Sequence, residues 1–248
     1  MKILICNDDG IDSSGLKTLA NKLAERHEVV VVAPEGNRSC CSHTLSLNIP
    51  IGIRERTDAV GYRVFETTGY PVDCVKIGFH YIKDFVPDVV VAGINKAHNL
   101  GTDVMYSGTV AIALEAAYFG KPAFAFSAYS HNEIDFYPSA EIALKIIEKL
   151  VPLSKPGEVW NVNFPPDNVE ISGVKFCGLG RYVYDDKYIK DGERFVLKSS
   201  AAKIATDDIN SDVCLVEKGY VTITPLSACC ADKDKIREMN DLCEKSLL

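Results

Sequence analysis

The chain has 248 residues, 47% of them hydrophobic and 25% charged, which suits one large α/β domain or a domain with an appendage. Its formal net charge of −7 argues against a broad nucleic-acid surface, which needs a basic face, but leaves room for a small anionic substrate beside a local cation. Nine cysteines at irregular spacings, with vicinal pairs at Cys40-Cys41 and Cys229-Cys230, read as reduced thiols rather than a disulfide framework. No apolar stretch reaches membrane-spanning length and the N-terminus reads directly into a strand, so no membrane association and a cytoplasmic location are expected.

"KILIC" (2–6) is a continuous apolar run, the pattern of a strand buried on both faces. "SSGLKTLANKLAER" (13–26) carries Leu16, Leu19, Ala20 and Leu23 at helical spacing, with Asp12 or Ser13 as its cap. "EVVVVAP" (28–34) is a second buried strand, and this strand–helix–strand order predicts a parallel sheet. A long polar loop, "EGNRSCCSHTLSL" (35–47), follows, and then a predicted β-hairpin over 52–69. "PVDCVKIGFHYI" (71–82) reads as a helix with proline at its start. "PDVVVAGIN" (87–95) is a third buried strand, and "SGTVAIALEAAYFG" (107–120) a helix opened by Ser107 and closed by Gly120. A strand "PAFAFS" and a helix "SAEIALKIIEKLV" complete the pattern.

"SKPG" (154–157) is the best boundary signal, although "VWNVNF" beyond it still reads as a core strand. The stretches 174–200 and 219–227 read as antiparallel β, and 234–247 as an exposed helix. The expected organisation is a single domain over 1–248. Its core covers roughly 1–175, and 176–248 forms an oligomerisation arm with a C-terminal helix.

Ligands of open parallel sheets bind at the carboxyl ends of strands, at a topological switch point. Here the first strand ends in Asn7-Asp8-Asp9, the second leads to Asn37-Arg38-Ser39, and the third ends in Asn95. Asp8, Asp9, Ser39 and Asn95 form an all-oxygen donor set suited to a hard divalent cation such as Mg²⁺ or Mn²⁺. The competing reading of Asp8 and Asp9 is a plain turn, with Asp9-Gly10 as its signature. Ser107-Gly108-Thr109 at a helix start would hold an anion on free N–H groups and the helix dipole, with simple N-capping by Ser107 as the alternative. His43 is either a proton donor or phosphate contact, or a loop histidine without such a role. His98 reads as structural. No G-x-G-x-x-G, P-loop, G-x-S-x-G or H-E-x-x-H motif is present.

"NDDG", "NRS..S" (Asn37, Arg38, Ser39, Ser42), "GIN" (93–95), "NLGTDVMYSGTV", "TGYPVDCV", "NVNFP" and "GYVTITPL" occur in this order along nearly the whole chain. Together they resemble the SurE family of survival-protein nucleotidases. The resemblance implies a Rossmann-like three-layer α/β/α sandwich with a C-terminal β-rich extension used in homodimers or homotetramers. It implies hydrolysis of nucleoside 5′-monophosphates, with 3′-monophosphates and short polyphosphate as further substrates, by metal-activated water. One divalent ion (Mg, Mn or Co) would be held by Asp8, Asp9, Ser39 and Asn95, with Asp8 and Asp9 catalytic. Phosphate would meet Asn95, Asn99, Ser107, Gly108, Thr109, Ser42 and His43. Cys40 and Ala97 stand where the family usually has glycine. The alternative is a non-catalytic domain, receiver-like or nucleotide-sensing, that binds Mg²⁺. A receiver would need an aspartate where this chain has Asn95, and an aspartyl-phosphate phosphatase would need D-x-D rather than adjacent acids.

Overall fold

A computed structural model describes residues 1–57, 61–130, 133–199, 203–228, 235–237 and 240. The elements run β1 (Lys2–Cys6), α1 (Ser14–Ala24), β2 (Glu28–Pro34), β3 (Ile53–Arg56), β4 (Arg63–Thr67), α2 (Pro71–His80) and β5 (Val89–Asn95). They continue with α3 (Gly108–Tyr118), β6 (Ala123–Ser127), α4 (Tyr137–Leu150), β7 (Val159–Asn163), β8 (Gly173–Phe176) and β9 (Tyr182–Val183). Then come β10 (Asp186–Asp191), β11 (Arg194–Ser199), β12 (Lys203–Ile204), α5 (Asp212–Glu217) and β13 (Tyr220–Leu226). A 3₁₀ turn, Gly101–Met105, precedes α3.

Side-chain alternation explains the layers. In β1, Ile3 and Ile5 face one side and Leu4 and Cys6 the other, and all four are buried. A strand buried on both faces needs a helical layer over each. α1 and α4 form one layer, packing Leu16, Leu19 and Ile147 against Ile3, Val31 and Val91. α2 and α3 form the other, with Val75, Val110 and Ile112 against Leu4, Val30 and Val90. The expected three-layer α/β/α sandwich is present.

The main sheet has the order β3-β4-β2-β1-β5-β6-β7-β13-β8. Its central strands, from β4 to β7, pair in parallel. From β1 the chain builds outward through β2 and β4, then returns to the far side of β1 with β5. The direction of winding therefore reverses between β1 and β5, and a crevice opens there at the carboxyl ends. Two caps form as the sequence predicts: Ser13 Oγ accepts the Leu16 N–H and Ser107 Oγ accepts the Val110 N–H, while at α2, whose predicted proline starts the helix, Asp73 also closes the first turn by accepting the Tyr70 N–H.

Two expectations change beyond residue 154. β13 runs antiparallel to β7 but parallel to β8, whereas antiparallel pairing was expected throughout. The long segment 177–219 allows this, because a parallel return needs a connection of about a dozen residues or more. β13 also lies inside the main sheet, so the core extends past 175 into the segment expected to form the arm. The arm proper contains an exposed ribbon, β10 paired with β11, and a separate short pair, β9 with β12. Helix α5 was not anticipated. The expected C-terminal helix falls almost wholly outside the described residues.

Gly15 shows how closely the layers approach the crevice. A methyl group there would lie 2.1 Å from the Ile94 carbonyl oxygen, beside Asn95. Gly15→Ala must therefore move main chain rather than a side-chain tip. It should destabilise the fold by about 1–3 kcal/mol, read as a lowered midpoint in urea denaturation.

Candidate active site

The turn after β1 is built by Asn7, whose Nδ2 donates to Gly10 O at 2.9 Å and to Ser13 Oγ at 2.8 Å. It delivers Asp8 and Asp9 to the crevice. Asp8 is 3% exposed, and its Oδ1 accepts the Thr109 hydroxyl at 2.5 Å. A methyl group at Gly108 would come within 2.8 Å of Asp8 Oδ2, so only glycine lets this carboxylate lie on the first turn of α3. Burial raises the Asp8 pKa, and hydrogen bonds from the Thr109 side chain and the main chain of Thr109 and Gly108 offset part of that rise. The Asp8 carboxylate thus lies against the first turn of α3.

Asp9 is half-buried, and its pKa is pushed up to about 6, first by burial and then by the Asp8 charge. The Lys96 N–H, 3.3 Å from Asp9 Oδ2, relieves this only in part. Lys96 follows Asn95, so the ends of β1 and β5 meet at this contact. Between Ala92 and Asn95 the β5–β6 register shifts, a bulge that re-aims the end of the strand. Asn95 Nδ2 donates to Ala97 O at 2.7 Å, which leaves the carbonyl oxygen as its open donor atom.

The loop after β2 is tied to the same place. The Arg38 N–H donates to Asp8 O at 2.7 Å, and the Ser39 N–H to Asn37 Oδ1 at 2.7 Å. Ser39 itself is exposed. Cys40 has φ 59°, in the left-handed region that glycine favours. Ser42, also left-handed at φ 53°, donates through Oγ to Met105 O at 2.8 Å and through N–H to Tyr106 O at 3.1 Å. The structure therefore gathers the segments bearing Asp8, Asp9, Ser39, Ser42, Asn95, Ser107, Gly108 and Thr109 around one crevice.

Two predicted contacts have other partners. His43 Nε2 lies 2.9 Å from Glu115 Oε2, and Lys76 Nζ lies 2.5 Å from Glu115 Oε1. Burial would raise the Glu115 pKa, but hydrogen bonds from His43 and Lys76 hold it below the usual glutamate value. Asn99 is buried, with its Nδ2 on Ser127 Oγ at 2.7 Å and its carbonyl accepting from Asn161 and Asn163. It braces the sheet end. Sequence reading missed Glu115, although a lone acid in the apolar run "TVAIALEAA" was a signal for it. Asp212, a buried carboxylate described below, was also missed.

Among the described residues there is no cluster of three or more His, Cys, Asp and Glu side chains able to hold a metal. The donors are instead two carboxylates, one amide oxygen and one hydroxyl. Adjacent acids with raised pKa values suit a hard dication, whose charge both would neutralise.

The protein-family model described as "Survival protein SurE" matches residues 3–186. The chain belongs to the SurE family. The 5′-nucleotidase SurE of Clostridium botulinum (strain Eklund 17B / Type B) is 35% identical over 251 residues, which cover 98% of each chain. The 5′-nucleotidase SurE of Synechococcus elongatus is 39% identical over 91% of this chain and 93% of that one. The crystal structure of the SurE protein from Aquifex aeolicus superposes with a TM-score of 0.82 at 31% identity, covering 98% of this chain and 99% of that one. This SurE fold thus extends to the C-terminal strands that the family model does not reach.

Thr109→Val removes a hydrogen bond to a buried carboxylate at nearly constant volume. It should cost about 1–3 kcal/mol, and more at pH 7.5 than at pH 5 because the lost bond favoured ionised Asp8. Denaturation midpoints at the two pH values check this.

His98 donates from Nε2 to Phe164 O at 2.7 Å, and dense surroundings pull its pKa down to about 4. As pH falls below 6.5 the unfolded chain takes up this proton first, so stability should decline between pH 6.5 and 4. His98→Gln should flatten that part of the stability–pH curve.

Proposed function

We propose that the protein is a metal-dependent nucleotidase that hydrolyses the phosphate monoester of nucleoside 5′-monophosphates, with 3′-monophosphates and short polyphosphate as further substrates. The observation that carries this reading is the pair Asp8-Asp9, with raised pKa values, at the switch point and beside the first turn of α3. The relatives named 5′-nucleotidase SurE, similar over almost the entire chain, support the substrate class.

Asp8, Asp9, Ser39 and Asn95 would hold one divalent ion (Mg, Mn or Co). Such an ion supplies Lewis-acid polarisation of a phosphoryl oxygen and an acidified water. The chain's own groups do the rest. Thr109 and the α3 N-terminus fix the orientation of the Asp8 carboxylate. Asp9, the more accessible acid, is the base that takes a proton from the attacking water. The main chain around Ser107–Thr109, together with Ser42 and His43, steadies charge on the phosphoryl oxygens. Glu115 holds His43 toward α3.

The same reading assigns the ribbon β10–β11 to contact with a second copy, in a homodimer or homotetramer. Tyr188, Ile189, Phe195 and Leu197 are all at least half exposed, and an isolated two-stranded ribbon is marginally stable. No described helix is long and apolar enough to cross a membrane, and a cytoplasmic location goes with this reading.

A phosphate-release panel tests the proposal: nucleoside monophosphates, polyphosphate and a generic ester, each with Mg²⁺, Mn²⁺, Co²⁺ or chelator. Asp8→Asn should lower metal-dependent release at least ~100-fold while the circular dichroism spectrum persists. Undiminished turnover with Mn²⁺ in that variant would remove Asp8 from the mechanism. Nucleotide binding without release under every metal would mark a sensor instead.

A further inference from the structure

The 3₁₀ turn Gly101–Met105, with Tyr106, forms a strap that leads into Ser107-Gly108-Thr109. At the crevice it is fastened by Ser42, through Met105 O and Tyr106 O. Its other end is held by Asp212, the first residue of α5, which is fully buried. Asp212 Oδ2 accepts the Gly101 N–H at 2.8 Å, and Oδ1 accepts the N–H groups of Gly180 at 2.7 Å and Val213 at 2.8 Å. The Asp212 N–H in turn donates to Gly178 O at 2.9 Å.

One carboxylate therefore joins the start of the strap to residues 178–180, which lead into β9 and the ribbon. The junction is close. Gly101 has φ 52°, and a methyl group there would meet Gly180 O at 2.9 Å. Leu100 packs beneath it against Val213 and Val216. Two contacts continue along the strap from the ribbon's root: the Tyr182 N–H reaches Thr102 Oγ1 at 3.4 Å, and the Tyr184 hydroxyl donates to Asp103 Oδ2 at 2.5 Å.

We infer that Asp212 is a positioning residue for the phosphate-binding turn, holding the strap so that the place of Ser107–Thr109 depends on residues 178–184 at the root of the ribbon. This rests on the proposed role of that turn. A short 3₁₀ turn pinned at both ends passes a displacement of Gly101 on to the residues that follow it. If the competent position is held only part of the time, apparent affinity falls by that fraction.

Asp212→Asn keeps the shape but sets an amide NH₂ against at least one main-chain N–H. Three quantities are measured: KM and kcat for a nucleoside 5′-monophosphate, the Kd of inorganic phosphate at saturating Mn²⁺, and the Kd of Mn²⁺ alone. KM and the phosphate Kd should both rise roughly tenfold, as loss of one charge-assisted hydrogen bond implies, while kcat and the Mn²⁺ Kd stay within about threefold. Tyr184→Phe, which cuts a ribbon-root contact and leaves Asp212 in place, should move the same two constants about two- to threefold. Unchanged KM and phosphate Kd in both variants, whatever happens to Tm, overturns the inference, as does a parallel loss of Mn²⁺ affinity. If Asp212→Asn does not fold, Tyr184→Phe decides alone. If the wild-type protein binds phosphate but turns nothing over, the nucleotidase reading fails and the phosphate titrations still decide this one.

Discussion

The structure is organised around one carboxylate, that of Asp8, laid on the first turn of α3. A buried ionised acid is expensive unless hydrogen bonds and positive ends of dipoles surround it. Here Thr109 and the main chain at Gly108 and Thr109 provide them, and Gly108 supplies the space. The contact joins β1 to α3 across a sequence separation of 101 residues. It therefore sets how the helix beyond β5 sits over the switch point. Asp9 has only the Lys96 N–H beside it, and burial and the Asp8 charge push its pKa up to about 6. A site with one acid satisfied by the fold and the next unsatisfied is predisposed to take a cation.

Around that pair the chain uses polar residues to build precision rather than to face water. Asn99, Ser127, Asn161 and Asn163 are buried and hydrogen-bonded together at the sheet end. Such networks hold loops in one arrangement because each unpaired buried group would carry a penalty. The loop after β2 is treated similarly, with Arg38 on Asp8 O and Ser42 on the strap before α3. Ser42, in the left-handed region, is held there by its hydrogen bonds to Met105 and Tyr106. Lys76, Glu115 and His43 then fasten the far side of the loop to α2 and α3.

Much of this was legible in the chain itself. Continuous apolar runs identified β1, β2 and β5 as strands buried on both faces, and Ser13, Pro71 and Ser107 marked helix starts that the structure retains. Asp8, Asp9, Ser39 and Asn95 stood out because each lies at or just past a strand end. What stayed hidden depended on distant partners. Asn99 looked like a ligand contact, and only its neighbours on β6 and β7 show that it braces the sheet. Asp212 gave no signal, because its partners Gly101 and Gly180 are known only once the fold brings them to it. The parallel pairing of β8 with β13 was equally unreadable, since strand direction after a long excursion is not written in local pattern.

The sequence by itself determined the buried strands, the helix starts, the parallel character of the central sheet and the identity of the oxygen-bearing residues. Periodicity and capping are local, and burial on both faces allows a strand few alternatives. Tertiary structure alone decided which charges meet. It laid the Asp8 carboxylate on the first turn of α3, set His43 beside Glu115, and hung the strap on Asp212. The reason is physical: a hydrogen bond or a pKa depends on distances of a few ångströms between segments far apart along the chain, and those distances exist only after packing.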